Sequence, residues 1–257
     1  MGYFCCGNNH DLYNQLEEEV FTEEEKKEYA LMVFLGIITI NNPSQTYNFR
    51  VVSIFEKALI EGFGASLNDL TFGSAEYQLF KSYRESLLTF TEAKQIQQLR
   101  EMFKIAELER EGFIAEGVDV FNRFNGSYLQ AEYETTINTA RAGRQWAKFE
   151  QQKSTKPMLT YKTQEDSRVR IEHRVLNNIT RPINDPFWDL YYPPNGWNCR
   201  CFVANSRTAV PSTNIPIDEI NREIPDLFKF NPGKTGYVFS PSHPYYKGTL
   251  ERIREFV

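Results

Sequence analysis

The residues best suited to chemistry are few, and they gather in the second half of the chain. Of three histidines and four cysteines in 257 residues, His173, Cys199, Cys201 and His243 fall there. Two thiolates and two imidazoles form the donor set of a tetrahedral structural zinc site. A loop-rich domain with few regular elements gains folding energy from such a staple. The spacing is Cys-x-Cys, whereas ordinary fingers use Cys-x₂₋₄-Cys. Buried thiols and hydrogen-bonded core histidines therefore account for the same residues equally well. Asp166 stands as a substitute ligand if His243 lies too far away. A Cys199–Cys201 disulfide would close a short, strained ring and is not expected.

A second chemistry uses the same atoms. A metal-dependent hydrolase or transferase could employ His173, Cys199 and Cys201 with Asp166 or Glu172 as the nearby acid, provided a fourth metal position stays open. Nothing else in the sequence announces catalysis. It has no phosphate-cradling Gly-rich loop, no Gly-x-Ser-x-Gly elbow and no His-Glu-x-x-His. The charges of Asp166, Arg168, Arg170 and Glu172 alternate closely enough to fix a turn by ion pairing. Asp185-Pro186 and Pro193-Pro194-Asn195-Gly196 are turn chemistry, while Trp188 and Trp197 are natural plugs for a small core.

These residues need elements to hold them, and the two halves of the chain differ. The first half reads as long helices. An apolar stretch from Tyr29 to Ile40 stops at Asn41-Asn42-Pro43. A helix from Val51 ends at Gly62 and Gly64. Ser74 caps a long pattern reaching about Arg110, in which Leu79, Tyr83, Leu87, Leu88 and Phe90 recur near helical spacing. A last helix runs from about Asn125 to Gln152 with Tyr128, Leu129, Tyr133, Ile137, Ala140 and Trp146 as core. Arg141 and Arg144 on it are read as solvated charges, the alternatives being a phosphate or a helix carboxyl end. The polar stretch 151–157 marks a boundary. Beyond it Met158–Thr163 is a short strand, and frequent proline excludes long helices. The expected fold is α+β: a mainly helical N-terminal half and a small, loop-rich C-terminal domain. The expected divisions are an acidic arm or helix over 1–28, a helical domain over 29–152, and a C-terminal domain over 153–257.

Charge narrows the partners. The formal net charge is −5, which argues against a general nucleic-acid binder. Residues 1–28 carry eight acids against Lys26 and Lys27, so the remaining chain is nearly neutral. Such a run is a solvated helix face or flexible arm, the alternative being a docking arm for a basic partner. From Lys156 onward, 14 basic residues face 11 acidic ones, too mild an excess for strong salt-dependent DNA binding. The longest apolar stretch, 29–40, is about half of the roughly 20 residues a membrane-spanning helix needs. Four cysteines give no disulfide framework, so a reducing cytoplasm is the expected setting.

The C-terminal text resembles the phage Mu F-like, or phage head morphogenesis, family. The likeness rests on Asp166-x-x-Val169-Arg170-x-x-His173, then Asp185-Pro186-Phe187-Trp188 and Tyr192-Pro193-Pro194-Asn195-Gly196-Trp197, closing on Cys199-Arg200-Cys201. Segments 55–64 and 128–144 resemble the family's helical parts. One position departs: family members often carry Leu-Asp/Asn-Gly after the histidine, and this chain reads Leu176-Asn177-Asn178. The resemblance implies a minor head protein of a tailed phage, present in few copies near the portal or inside the procapsid. It further implies portal, major capsid or scaffold proteins as partners, packaged DNA as a weaker one, and no membrane. Its place would be the virion, with assembly in the host cytoplasm.

Overall fold

The computed structural model describes residues 20–248. Most of the acidic arm lies outside the described residues. The fold is α+β, with long helices first and a three-stranded antiparallel sheet after them. Helices α1 (Glu23–Phe34), α2 (Gln45–Phe63), α3 (Ala75–Phe103), α4 (Arg110–Asn125) and α5 (Ser127–Gln152) make up the helical half. Strand β1 (Met158–Lys162), the single-turn α6 (Ile171–Arg174), β2 (Thr180–Pro182), α7 (Phe187–Tyr191), β3 (Phe202–Ser206), α8 (Ile217–Glu223) and α9 (Pro232–Thr235) follow. Two compact units emerge, each drawn from two stretches of chain: 20–52 with 91–130, and 53–90 with 131–248.

In the first unit, α1 starts on a capping box. Thr22 Oγ1 accepts from the Glu25 amide at 3.2 Å, and Glu25 Oε2 accepts from the Thr22 amide at 2.8 Å. The helix ends earlier than the apolar run suggests. Gly36, at φ 70°, turns the chain so that the Ile37 amide bonds back to the Met32 carbonyl. Helix α1 lies against α4 so closely that a Cβ on Gly117 would sit 3.1 Å from the Ala30 methyl. Phe21, Tyr29 and Tyr47 pack on Phe121. Tyr47, Gln98 and Asn125 hydrogen-bond to one another inside this core: the Tyr47 hydroxyl donates to Asn125 Oδ1 (2.7 Å), and Asn125 Nδ2 donates to Gln98 Oε1 (2.8 Å). The helical pattern expected to reach about Arg110 ends at Phe103 in α3, and turns over 104–108, in which amides bond three residues back, lead to α4, a helix the sequence pattern did not separate out.

In the second unit, Gly62 does not end α2; the break comes at Gly64, with φ 71°. Gly62 instead admits α5, since a Cβ there would stand 2.2 Å from the Ile137 carbonyl oxygen. Gly143 on α5 makes room for the Tyr83 ring in the same way. Arg144 is not a solvated charge. Its Nη1 donates to the Phe63 carbonyl at 2.6 Å and its guanidinium lies 5.3 Å from the Phe63 ring centre, so it caps the carboxyl end of α2. Leu88 and Tyr128 face outward, unlike their neighbours in the helical pattern.

The sheet has order β2-β1-β3, with Leu159 opposite Arg181 and Tyr161 opposite Val203. Alternation along β1 puts Leu159 and Tyr161 on the buried face. There they join Val203, Trp188, Tyr192 and the α5 residues Trp146 and Phe149 in one apolar core. The outer edge of β3 is covered rather than open, because Gln145 of α5 donates to the Val203 carbonyl at 2.9 Å. Gly233 lies flush on the Trp146 indole, where a Cβ would be 2.4 Å from its own. Asn178, where the resemblance leads one to expect glycine, adopts φ 66°. Asparagine tolerates that left-handed conformation, so the turn survives the departure.

Candidate metal centre

His173 stands on α6, a single helical turn. Cys199 and Cys201 lie on the stretch leading into β3. In an extended chain, residues two apart point to the same side. The Cys-x-Cys spacing thus sends both sulfurs one way, while Nη2 of Arg200 between them donates to both Asp166 carboxylate oxygens, 2.9 Å to each. The single ligand atoms of His173, Cys199 and Cys201 all lie within 4.8 Å of one another.

The loop before the cysteines sets this arrangement. Asn195 is fully buried and uses three groups at once. Its carbonyl faces His173 Nε2 at 3.2 Å, its Oδ1 accepts from the Tyr161 hydroxyl at 2.9 Å, and its Nδ2 donates to the Phe228 carbonyl at 3.3 Å. A carbonyl can only accept, so Nε2 carries the proton and Nδ1 presents a lone pair. That nitrogen is 3.6 Å from Cys199 Sγ and 3.6 Å from Cys201 Sγ. In a tetrahedral site with metal–sulfur bonds of about 2.3 Å and metal–nitrogen bonds of about 2.0–2.1 Å, the sulfur–nitrogen edge comes to about 3.6 Å. Backbone carbonyls that orient a ligand histidine in this way are the usual outer shell of such sites. There is little room at Gly196, as a Cβ would stand 2.6 Å from Arg170 Nη1 and 3.2 Å from His173 Nε2. Arg170 Nη2 in turn donates to the Trp197 carbonyl at 2.6 Å and closes the loop over α6.

His173 and Cys199 are buried, and Cys201 is partly so. The two thiols titrate apart. A hydrogen bond from Cys201, helped by His173, holds the Cys199 thiol well below its ordinary range, against the opposing effect of burial. The same bond and burial push Cys201 far up. A bound metal would favour both thiols ionised.

Of the residues singled out in the sequence, three come together and the others do not. His243 is buried elsewhere in the second unit: its Nδ1 accepts from the Tyr245 amide at 3.2 Å, and its ring packs edge-on against Tyr245 and Phe90. Asp166 is taken up by Arg200, which holds its carboxyl below the usual range. Its partner is thus not the neighbouring Arg168 or Arg170 side chain, although its Oδ1 also accepts the Arg168 amide at 3.0 Å. Glu172 is not among the converging ligand atoms. Trp188 is fully buried with its Nε1 donating to the Arg181 carbonyl, as a core plug should, whereas Trp197 is only partly buried. Sequence reasoning overlooked Asn195 and Tyr161. The alternation Leu159–Tyr161 was the available signal, since a buried tyrosine must find a partner for its hydroxyl.

Residues 74–204 match the family described as Phage Mu protein F like protein, and the chain belongs to that family. The matched span contains His173, Cys199 and Cys201 and stops short of His243. Over 75 residues the chain is 38% identical to the putative capsid assembly protein F of Escherichia phage Mu, covering 29% of this chain and 17% of that protein. Over 97 residues it is 35% identical to the Mu-like prophage FluMu F protein of Haemophilus influenzae, covering 37% of this chain and 22% of that one. The chain thus matches less than a quarter of the length of either relative. No solved structure matches it. Among the described residues no helix is long and apolar enough to cross a membrane.

Proposed function

We propose that the chain acts in head assembly of a tailed phage as a minor head protein, bound to the portal or to the procapsid interior and aiding assembly, packaging or ejection of DNA. Zinc held by His173, Cys199 and Cys201 staples its C-terminal module. The family match across 74–204 carries the first part of this reading, together with the name capsid assembly protein borne by the phage Mu relative. The His173 geometry carries the second: one ring nitrogen fixed by the Asn195 carbonyl, the other aimed at two sulfurs at tetrahedral-edge distance.

Three protein ligands are also the number found at catalytic zinc, which keeps an open position. Enclosure favours a staple over a hydrolase here. The open hollow nearest in sequence, about 420 Å³ lined by Thr163, Glu165, Asp166 and Arg174 among others, includes none of the three ligand residues. Portal, major capsid or scaffold proteins are the proposed partners. Packaged DNA would be at most a local contact, given the mild basic excess after Lys156. The test is co-assembly: the chain should sediment with the portal or procapsid of its own phage and be present in purified heads. Absence from heads, with normal DNA packaging after deletion, would overturn the assembly role.

A further inference from the structure

The apolar stretch from Tyr29 to Ile40 is the longest in the chain, and burial accounts for only part of it. Tyr29, Ala30, Val33 and Ile38 are buried, whereas Phe34, Leu35 and Ile37 are 38, 59 and 49% exposed. A run of apolar side chains left in water adds nothing to the fold and marks a surface that something covers. We infer that this tip of the first unit docks into an apolar recess rimmed by lysine and arginine on another protein of the phage head. This rests on the head-assembly reading above and is independent of the metal centre.

The backbone holds the tip in one conformation. Helix α1 ends at Phe34, and the Ile37 and Ile38 amides both bond back to the Met32 carbonyl, at 2.9 and 3.2 Å. Thr39 and Asn42 then exchange two backbone hydrogen bonds, and Asn42 Nδ2 donates to the Ile37 carbonyl at 3.0 Å. Three apolar side chains are thus presented on a turn that is already ordered, which lowers the entropy lost on docking. Phe34 packs against the buried Phe113 of α4, ring centres 5.4 Å apart, so the tip adjoins the start of that helix.

That contact sets the partner's chemistry. Just before Phe113 come Glu107, Glu109, Arg110 and Glu111, all exposed, three acids against one base. None of the three acids is ion-paired among the described residues, and the nearby Lys104 is taken by Glu101 at 2.6 Å. Glu109 and Glu111 also favour the start of α4 through the helix dipole, but Glu107 lies outside the helix. The apolar tip therefore carries an uncompensated acidic flank. A second copy of this chain would bring the same acids against it, and DNA or an anionic lipid surface would be repelled. A basic rim around an apolar recess complements both features at once.

The experiment supplies the full chain, wild type or variant, to its own phage lacking the gene and counts chains per purified head by quantitative mass spectrometry. Leu35→Ser/Ile37→Ser, with native far-ultraviolet dichroism, should fall about 10-fold or more below the wild type, as loss of central apolar anchors does elsewhere. Glu107→Gln/Glu109→Gln/Glu111→Gln should fall by less. A folded serine variant present at the wild-type level would overturn the docking surface while leaving the head-assembly reading standing. Full incorporation of the glutamine variant would overturn the basic character of the partner. A wild-type chain that sediments as a dimer, and a serine variant that sediments as a monomer, would make the tip a contact between copies instead. Wild-type chain absent from heads would remove the head-assembly reading itself, and the docking surface with it.

Discussion

The C-terminal half buries two histidines to nearly the same depth, 3% exposed for His173 and 5% for His243, yet their surroundings differ in kind. His173 has a carbonyl behind it and two thiols in front. His243 closes a turn on its own chain through Nδ1 and lies among the rings of Phe90, Phe239 and Tyr245. Burial alone therefore does not single out a candidate ligand. What distinguishes the first site is that an imidazole nitrogen and two thiols converge on one point. In the second, the ring is one more member of an aromatic core.

The contrast is sharpest in the cysteines. Cys199→Ser should abolish metal binding and cost the C-terminal module its fixed structure, because binding energy at a structural zinc is folding energy. Elemental analysis and near-ultraviolet dichroism check both halves of that outcome. Trp188→Ala comes next, expected to destabilise by about 3–5 kcal/mol with metal stoichiometry retained, since it empties the centre of the core on which the sheet rests. Denaturant unfolding in the presence of zinc measures it. His243→Ala should cost less, about 1–3 kcal/mol for a buried ring in contact with other aromatics, and should leave the metal content unchanged. Loss of zinc in that variant would erase the distinction between the two histidines.

The smallest effect belongs to the ion pair outside the cluster. Arg200 lowers the Asp166 carboxyl, so this pair stabilises the fold above the unfolded carboxyl value of about 3.9 and is lost as pH falls through the lower folded value. Asp166→Asn should flatten the acid limb of stability against pH slightly and leave neutral metal content alone. An Asp166→Asn protein that lost its metal would make Asp166 a ligand after all.

Much of this was legible in the sequence, and the failures have physical causes. Helical spacing gave α2, α3 and α5, and the Ser74 cap holds, its Oγ accepting the Tyr77 amide. The alternation in 158–162 gave β1. Glycine was the ambiguous letter. Gly36 and Gly64 end helices with positive φ, but Gly62 sits within a helix because another helix passes close by. Only the partner at Ile137 separates those cases, and it is 75 residues away along the chain. The cluster was half legible for the same reason. Residue type and local spacing found His173, Cys199 and Cys201. They could not tell His173 from His243, since only the fold brings one of them to the thiols. Asn195 looked like turn chemistry but joins three partners, from strand β1, helix α6 and a 3₁₀ turn, that only the fold brings together.

Metal content of the purified wild-type chain, measured by elemental analysis beside Cys199→Ser and His243→Ala, tests the central claim most directly. One zinc per chain is expected in the wild type and in His243→Ala, and none in Cys199→Ser. A folded wild-type chain without metal, purified with zinc present throughout, would contradict it and leave His173 and the two thiols as a hydrogen-bonded core.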